Sequence, residues 1–319
     1  MKVVIPFAQV ATINPNIDNK KIESSLITYL KCIVVSFASI RKFNPKIELC
    51  LVTNYPIPDE FIKLLNILNA EIKLTPFTHE PPPEFGDKFR GCFYIFDAIG
   101  EFDESILIVD PDVICIDGLG WIEDECGEKI GVFPIDFEER KAINGISRAV
   151  AAEIYGNYLG TLPGNQIARP HLGGEILYIP QTKLSELCTA IEKFWAWNLQ
   201  AAKIGRGFLT TEEHIFSYII KESQSINLNS YISRIWTSYS YRKHQGNDLP
   251  INSLCLWHLP SEKLRGFEEM FNYYQRNSDE FDKCNDRIFK RKVRKVFHID
   301  FTFKRLAIYI FLQLANLKN

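Results

Sequence analysis

Apolar and polar positions along the first 115 residues alternate between two periods. Val3–Ala8 is an apolar run that ends in a loop, and a helical stretch follows around Ser24–Lys42. Ile47–Thr53 reads as a strand closed by Asn54-Tyr55-Pro56. Asp59–Asn69 carries Phe61, Leu64, Leu65 and Leu68 at helical spacing, and Glu71–Leu74 is a short strand. A helix over Lys88–Ile99 then leads into a strand at Ser105–Val109. This repetition of strand and helix predicts an α/β fold, a Rossmann-like and mostly parallel central sheet flanked by helices. In such sheets ligands gather beyond the carboxyl ends of the strands, where Asp110 falls.

Beyond Cys115 the pattern loosens. Ile130–Pro134 reads as a strand, and residues 136–170, rich in charge and glycine, as a lid with one short helix around Ser147–Tyr158. Leu172–Ile179 is a strand introduced by two glycines, and Lys183–Lys203 and Glu212–Lys221 are helices. Residues 240–252 are polar and loop-like, Leu254–His258 is a short strand, and the remainder is helical and increasingly basic. The expected division is one domain over residues 1–265 and a helical, basic and apolar extension over 266–319.

The chain has 319 residues, 46% hydrophobic and 24% charged, enough to bury a large core. Its net charge of −2 hides an asymmetry. Residues 288–319 hold eight Lys or Arg against one Asp, which leaves −9 for residues 1–287. An acidic body with a basic tail argues against nucleic acid as partner and suits an enzyme whose tail meets an anionic membrane. No stretch reaches the roughly 18–20 apolar residues of a membrane span. Met1–Pro6 reads as a first strand rather than a signal peptide. The eight cysteines are scattered without zinc-ligand spacing and read as reduced, buried thiols. Together these features predict a cytoplasmic protein, peripheral at the inner face of a membrane.

The chemistry concentrates in Ile106-Leu107-Ile108-Val109-Asp110-Pro111-Asp112. Pro111 ends the strand pairing, because it cannot donate to the ladder. Two carboxylates one residue apart repel each other, a cost that Mg²⁺ or Mn²⁺ relieves while taking its other ligands from phosphates. A diphosphate leaving group needs that neutralisation. An Asp-x-Asp pair arises about once by chance in a chain of this length, so the buried strand before it carries the weight.

At four places, in order over residues 1–265, the sequence resembles the GT-A glycosyltransferases, particularly the family 8 galactosyl- and glucosyltransferases. They are Asp110-Pro111-Asp112; Gly173-Gly174-Glu175-Ile176-Leu177-Tyr178-Ile179; Thr211-Glu212-Glu213-His214; and Leu256-Trp257-His258-Leu259-Pro260-Ser261-Glu262-Lys263. The resemblance implies Asp110, Asp112 and His258 as metal ligands, with manganese favoured by the imidazole. It also implies a UDP-hexose donor, with Lys263 and Arg90 on the diphosphate and Gly173 and Gly174 facing the donor. Phe7 and Ala8 would lie at the nucleotide base. Lys88 reads as solvated, and Asp136 as a loop acid within reach of a sugar hydroxyl.

Glu212 and Glu213 stand where the family has Asp and Gln. They open a helix capped by Thr210 or Thr211, and Thr210 with Glu213 fits a capping box. As the catalytic candidates they would act near the anomeric carbon or an acceptor hydroxyl. The family pattern implies retention of configuration, while Glu213 as general base would give inversion. Leu172 replaces the family's polar Asn. In the tail, Lys290-Arg291-Lys292, Arg294 and Lys295 precede the apolar Phe301–Leu317. That pairing reads either as an interfacial membrane anchor or as a helix packed on the core. The function expected is transfer of a hexose to a glycan or lipid-linked acceptor in surface polysaccharide synthesis. The alternatives are a catalytically inactive glycan-binding or scaffold protein and a sugar nucleotidyltransferase. The latter needs a glycine-rich loop that Ala8–Asn14 lacks.

Overall fold

The structure is a computed structural model and describes residues 1–10, 22–161, 168–237, 243–245 and 249–299. The first half follows the alternating pattern closely. It runs β1 Lys2–Phe7, α1 Ile22–Phe43, β2 Glu48–Thr53, α2 Asp59–Ile67, β3 Ala70–Leu74, α3 Tyr94–Ile99 and β4 Ile106–Val109. There follow β5 Val113–Cys115, α4 Trp121–Cys126, β6 Ile130–Ile135, β7 Ala142–Ile143, β8 Ile146–Ser147 and α5 Arg148–Leu159. Then come β9 His171–Ile179, α6 Gln181–Lys203, α7 Glu212–Ile219, β10 Ser225–Asn227, β11 Ile232–Trp236, β12 Lys243–Gln245 and β13 Leu256–His258. Helices α8 Gly266–Arg276, α9 Ser278–Lys283 and α10 Asp286–Val296 complete the described elements.

Seven strands form the main sheet in the order β10-β6-β9-β4-β1-β2-β3. All pair in parallel except β9, which lies antiparallel between β4 and β6. β1 and β4 are buried along nearly their whole length, as strands covered on both faces must be. One apolar layer contains α1 with α8 and α10, and the other contains α3, α6 and α7. A smaller sheet, β12-β11-β13-β5, stands beside the carboxyl end of β4. There β13 runs antiparallel to β5, with His258 opposite Val113, and parallel to β11, with His258 opposite Arg234.

Two expectations change. The helix anticipated at Lys88 begins later, as one 3₁₀ turn at Arg90–Phe93 that runs into α3. Phe89 sits in the left-handed region at φ 59°, which stops the helix from extending backwards. The N-cap of α7 is Thr211, whose hydroxyl accepts from the His214 N–H, so the box of Thr210 with Glu213 does not form. The described part of the extension is packed on the body. Phe289, Val293 and Val296 of α10 are buried, Phe281 and Phe289 stack edge-on, and Lys31 of α1 binds Glu268 of α8 at 2.6 Å. The Phe301–Leu317 run lies outside the described residues, so its two readings stand as they were.

Candidate active site

Beyond the carboxyl ends of β1 and β4 lies a cleft of about 330 Å³. Its floor is built by the turn after β4. Pro111 ends the β4 strand, the Asp110 carbonyl accepts from Val113 N at 3.2 Å, and the Asp110 N–H donates to the Glu175 carbonyl of β9 at 3.1 Å. Both aspartates are thereby fixed by backbone bonds rather than by a free loop. Leu259 N donates to the Asp112 carbonyl at 3.0 Å, which brings the end of β13 against the same turn.

His258 Nε2 then lies 3.2 Å from Asp112 Oδ2 and 3.5 Å from Asp110 Oδ2. One ligand atom from each of Asp110, Asp112 and His258 falls within 4.8 Å of the others, the grouping a divalent cation requires. Two carboxylate oxygens and one imidazole suit Mn²⁺, or Mg²⁺ with more water. Positive charge already collects there. Lys263 Nζ donates to Asp112 Oδ2 although Lys263 is buried. Burial alone would lower His258, but the Asp112 and Glu175 carboxylates outweigh it and raise the imidazole to about 9. Desolvation, then the Asp112 and Glu175 charges, push Asp110 up to about 7 against the pull of His258. Asp112 goes the other way: Lys263 and then His258 overcome its burial and hold it well below the usual carboxylate range. A cation would offset the repulsion between Asp110 and its carboxylate neighbours.

The second charged cluster faces the first across the cleft. Glu213 accepts from Gly174 N at 3.0 Å and Arg234 Nη2 at 3.0 Å through one oxygen. Its other oxygen takes Asn144 Nδ2 at 2.8 Å and contacts His171 Nε2 at 3.1 Å. Four donors therefore hold this carboxylate. Burial would raise it, but His171 and Arg234 keep it well below its ordinary value. Glu212, one residue earlier, lines the cleft itself. Burial, and then the charge of Glu213, raise Glu212 to about 8. Asn144 reaches Glu213 from the β7–β8 hairpin, whose Asn144-Gly145 turn has φ 48° and 88°. This is the Asn-Gly geometry that matches the twist of paired strands.

No protein-family model matches the chain, and no curated protein does. Among solved structures, the galactosyltransferase LgtC, crystallised with donor and acceptor sugar analogues, superposes with a TM-score of 0.51 at 15% identity. The match covers 86% of this chain and 96% of that one. The chain has the GT-A fold. Mouse xyloside xylosyltransferase 1 superposes with a TM-score of 0.47 at 14% identity, over 81% of this chain and 96% of that one.

Within this GT-A frame the cleft gathers most of the residues singled out in the sequence. Phe7, Ala8, Arg90, Asp110, Asp112, Gly174, Glu212, Glu213, His258 and Lys263 all line it. At its β1 end, Gln9 N donates to Asn54 Oδ1 at 2.8 Å and Asn54 Nδ2 donates to the Gln9 carbonyl at 3.1 Å, fixing the loop beside Phe7 and Ala8. Arg90 is half-buried and its Nη2 lies 3.3 Å from Glu80. Gly173 is absent from the lining. Successive side chains of a strand point to opposite faces, so Gly173 faces Phe133 and Ile135 while Gly174 faces the cleft. Asp136 is fully exposed and lies 3.6 Å from Arg148, and Lys88 is exposed; neither lines the cleft.

Sequence reading missed Glu175, Arg234, Asn144 and His171. Glu175 carried a signal, being an acid inside an otherwise apolar strand, a place where charge survives only when paired. Asn144-Gly145 carried another, the dipeptide of two-residue hairpins. Arg234 lies on a strand that the sequence pattern did not single out.

Proposed function

We propose that the chain is a metal-dependent glycosyltransferase that moves a hexose from a nucleotide-diphosphate sugar, a UDP-sugar, to a glycan or lipid-linked acceptor in surface polysaccharide synthesis. The observation that carries this is the Asp110, Asp112 and His258 cluster on the floor of the cleft. Those three residues would hold Mn²⁺, whose charge neutralises the diphosphate as the glycosidic bond breaks. Phe7 and Ala8 form the wall for the nucleotide base, and Arg90 and Lys263 are the cations for the diphosphate.

Glu212 and Glu213 divide their work in this reading. Glu213, with four donors around it, would hold Gly174, Asn144 and Arg234 in place for the sugar, a role at odds with accepting a proton in an inverting reaction. Glu212 faces the cleft and is the group within reach of the anomeric centre and the acceptor hydroxyl. Gly174, where a Cβ would stand 2.9 Å from Glu212 Oε1, keeps that face open.

Among the described residues no helix is long and apolar enough to cross a membrane. Attachment to an anionic membrane surface through the basic tail is part of the proposal. It is supported by the exposed Arg287, Arg291 and Lys295 on α10.

Incubating the purified chain with a panel of nucleotide sugars and Mn²⁺ tests the reading. Donor hydrolysis or transfer that EDTA abolishes, and that Asp110→Ala and Asp112→Ala remove, is the expected result. Turnover that survives both substitutions would refute the site. Glycan binding without turnover would favour an inactive binding protein, and pyrophosphate-dependent nucleotide exchange a nucleotidyltransferase.

A further inference from the structure

We infer that Glu175 is a positioning residue for the cation centre, fixing which nitrogen of His258 faces Asp110 and Asp112. The inference rests on the divalent-cation reading above. Glu175 lies on β9 with no exposed surface, followed by four buried residues. A carboxylate there costs several kcal/mol unless donors reach it. Two do, and both reach the same oxygen: His258 Nδ1 at 3.0 Å and Arg234 Nε. The other oxygen, Oε2, is buried with no hydrogen-bond partner among the described residues.

That asymmetry carries the inference. A glutamate present only to neutralise Arg234 would take the guanidinium fork with both oxygens, the stronger geometry. Glu175 instead shares one oxygen between the guanidinium and the imidazole. Its spare oxygen lies in the space left by Gly173, where any added Cβ would collide with it. Gly173 therefore serves the site from behind the strand, by giving Glu175 room. With Nδ1–H donated to Glu175, Nε2 is the nitrogen presented to Asp110 and Asp112. Arg234, opposite His258 in the β11–β13 register, continues the contact to Glu213. A single chain of contacts, His258-Glu175-Arg234-Glu213, thus joins the cation end of the cleft to its acid pair.

The test reads Mn²⁺ binding without turnover. Mn²⁺ is titrated into wild type, Glu175→Leu, Glu175→Gln and Gly173→Ala proteins, with calorimetry for affinity and electron spin echo spectroscopy for nitrogen coupled to the bound ion. Wild type should show nitrogen modulation that His258→Ala removes. Glu175→Leu should raise the Kd by about 10–100-fold and lose that modulation. Glu175→Gln keeps an acceptor oxygen for Nδ1–H and should recover most of both. Gly173→Ala displaces the carboxylate without changing any charge, so it should behave like Glu175→Leu and serves if that protein does not fold. A folded Glu175→Leu or Gly173→Ala protein with wild-type Kd and undiminished modulation overturns the inference. A wild-type protein that binds no Mn²⁺ overturns the cation reading instead.

Discussion

Replacing Arg234 with Met removes the one guanidinium that bridges Glu175 and Glu213, while keeping much of the side chain's length and apolar bulk. Glu175 is fully buried, and the Glu213 side chain is 10% exposed. Both would be left short of a charged donor, although Glu213 keeps Gly174 N, Asn144 and His171 and Glu175 keeps His258. Breaking a buried pair by removing one partner costs about 3–5 kcal/mol. Unfolding entropy of about 2.1 cal/mol/K per residue gives about 0.7 kcal/mol/K for 319 residues, so the melting temperature should fall by about 4–8 °C. The pH dependence has a definite sign. In the folded protein burial would raise Glu175, but Arg234 and His258 hold it near 2, below its ordinary 4.5. Glu213 is likewise held low. Such depressed acids contribute stability that is present above about pH 4.5 and lost as pH falls through the folded value. The gap between wild type and Arg234→Met should therefore be widest near neutrality and narrow as pH drops from about 4.5 toward 2. Adding Glu175→Gln to Arg234→Met removes the orphaned charge and should recover part of the loss. Thermal melts of the metal-free proteins measure all of this. A single variant melting within about 1 °C of wild type at neutral pH would refute the bridging role, being far inside the expected shift.

Glu212 offers the opposite sign. Its carboxyl is raised to about 8 from 4.5, by burial first and the Glu213 charge second, so stability is lost as pH rises between those values. In EDTA-treated protein, Glu212→Gln should melt above wild type by at least about 2 °C beyond pH ~8 and match it below pH ~4.5; equal melts throughout would contradict the shift. Gly174→Ala puts a Cβ 2.9 Å from Glu212 Oε1, an end that can move, so kcat should fall at least about 10-fold with little change in melting. Gly131→Ala should do the reverse. Its Cβ would meet Leu228 at 2.7 Å, Cys126 at 2.9 Å and Tyr178 at 3.0 Å, costing about 1–3 kcal/mol with donor affinity unchanged in the folded protein. Thr211→Ala removes the cap of α7 and should cost about 0.5–2 kcal/mol in chemical denaturation.

The alternation of β1 to β4 was legible because β1, β2 and β4 are buried along most of their length and the helices between the strands bury apolar side chains. Asp110 and Asp112 were legible for the same reason, since a buried strand that ends at a proline leaves little choice about where its next side chains emerge. The facing of β9 was not. Its two glycines looked alike in sequence, yet strand alternation sends Gly173 to the core and Gly174 to the cleft. Nor could the chain alone announce the Glu213 cluster, whose donors come from β7–β8, β9 and β11. Such a cluster is set by long-range packing, which no local period records. The same holds for the contact that Lys263 makes with Asp112, which joins residues 151 positions apart.

The short ladder between β13 and β5 has a consequence for how this chain can diverge. Its three residue pairs, Leu256–Cys115, Trp257–Ile114 and His258–Val113, help to set the histidine beside the aspartates. Because side chains alternate, slipping that ladder by one residue would turn His258 to the far side and empty the centre. The loops that join the paired strands between Cys115 and Leu256 carry no such restriction on their length. Loops that carry none of the cleft's residues can be lengthened, shortened or exchanged between descendants while the ladder is kept. Under the proposed function, acceptor preference would then drift by loop replacement while the donor site is kept.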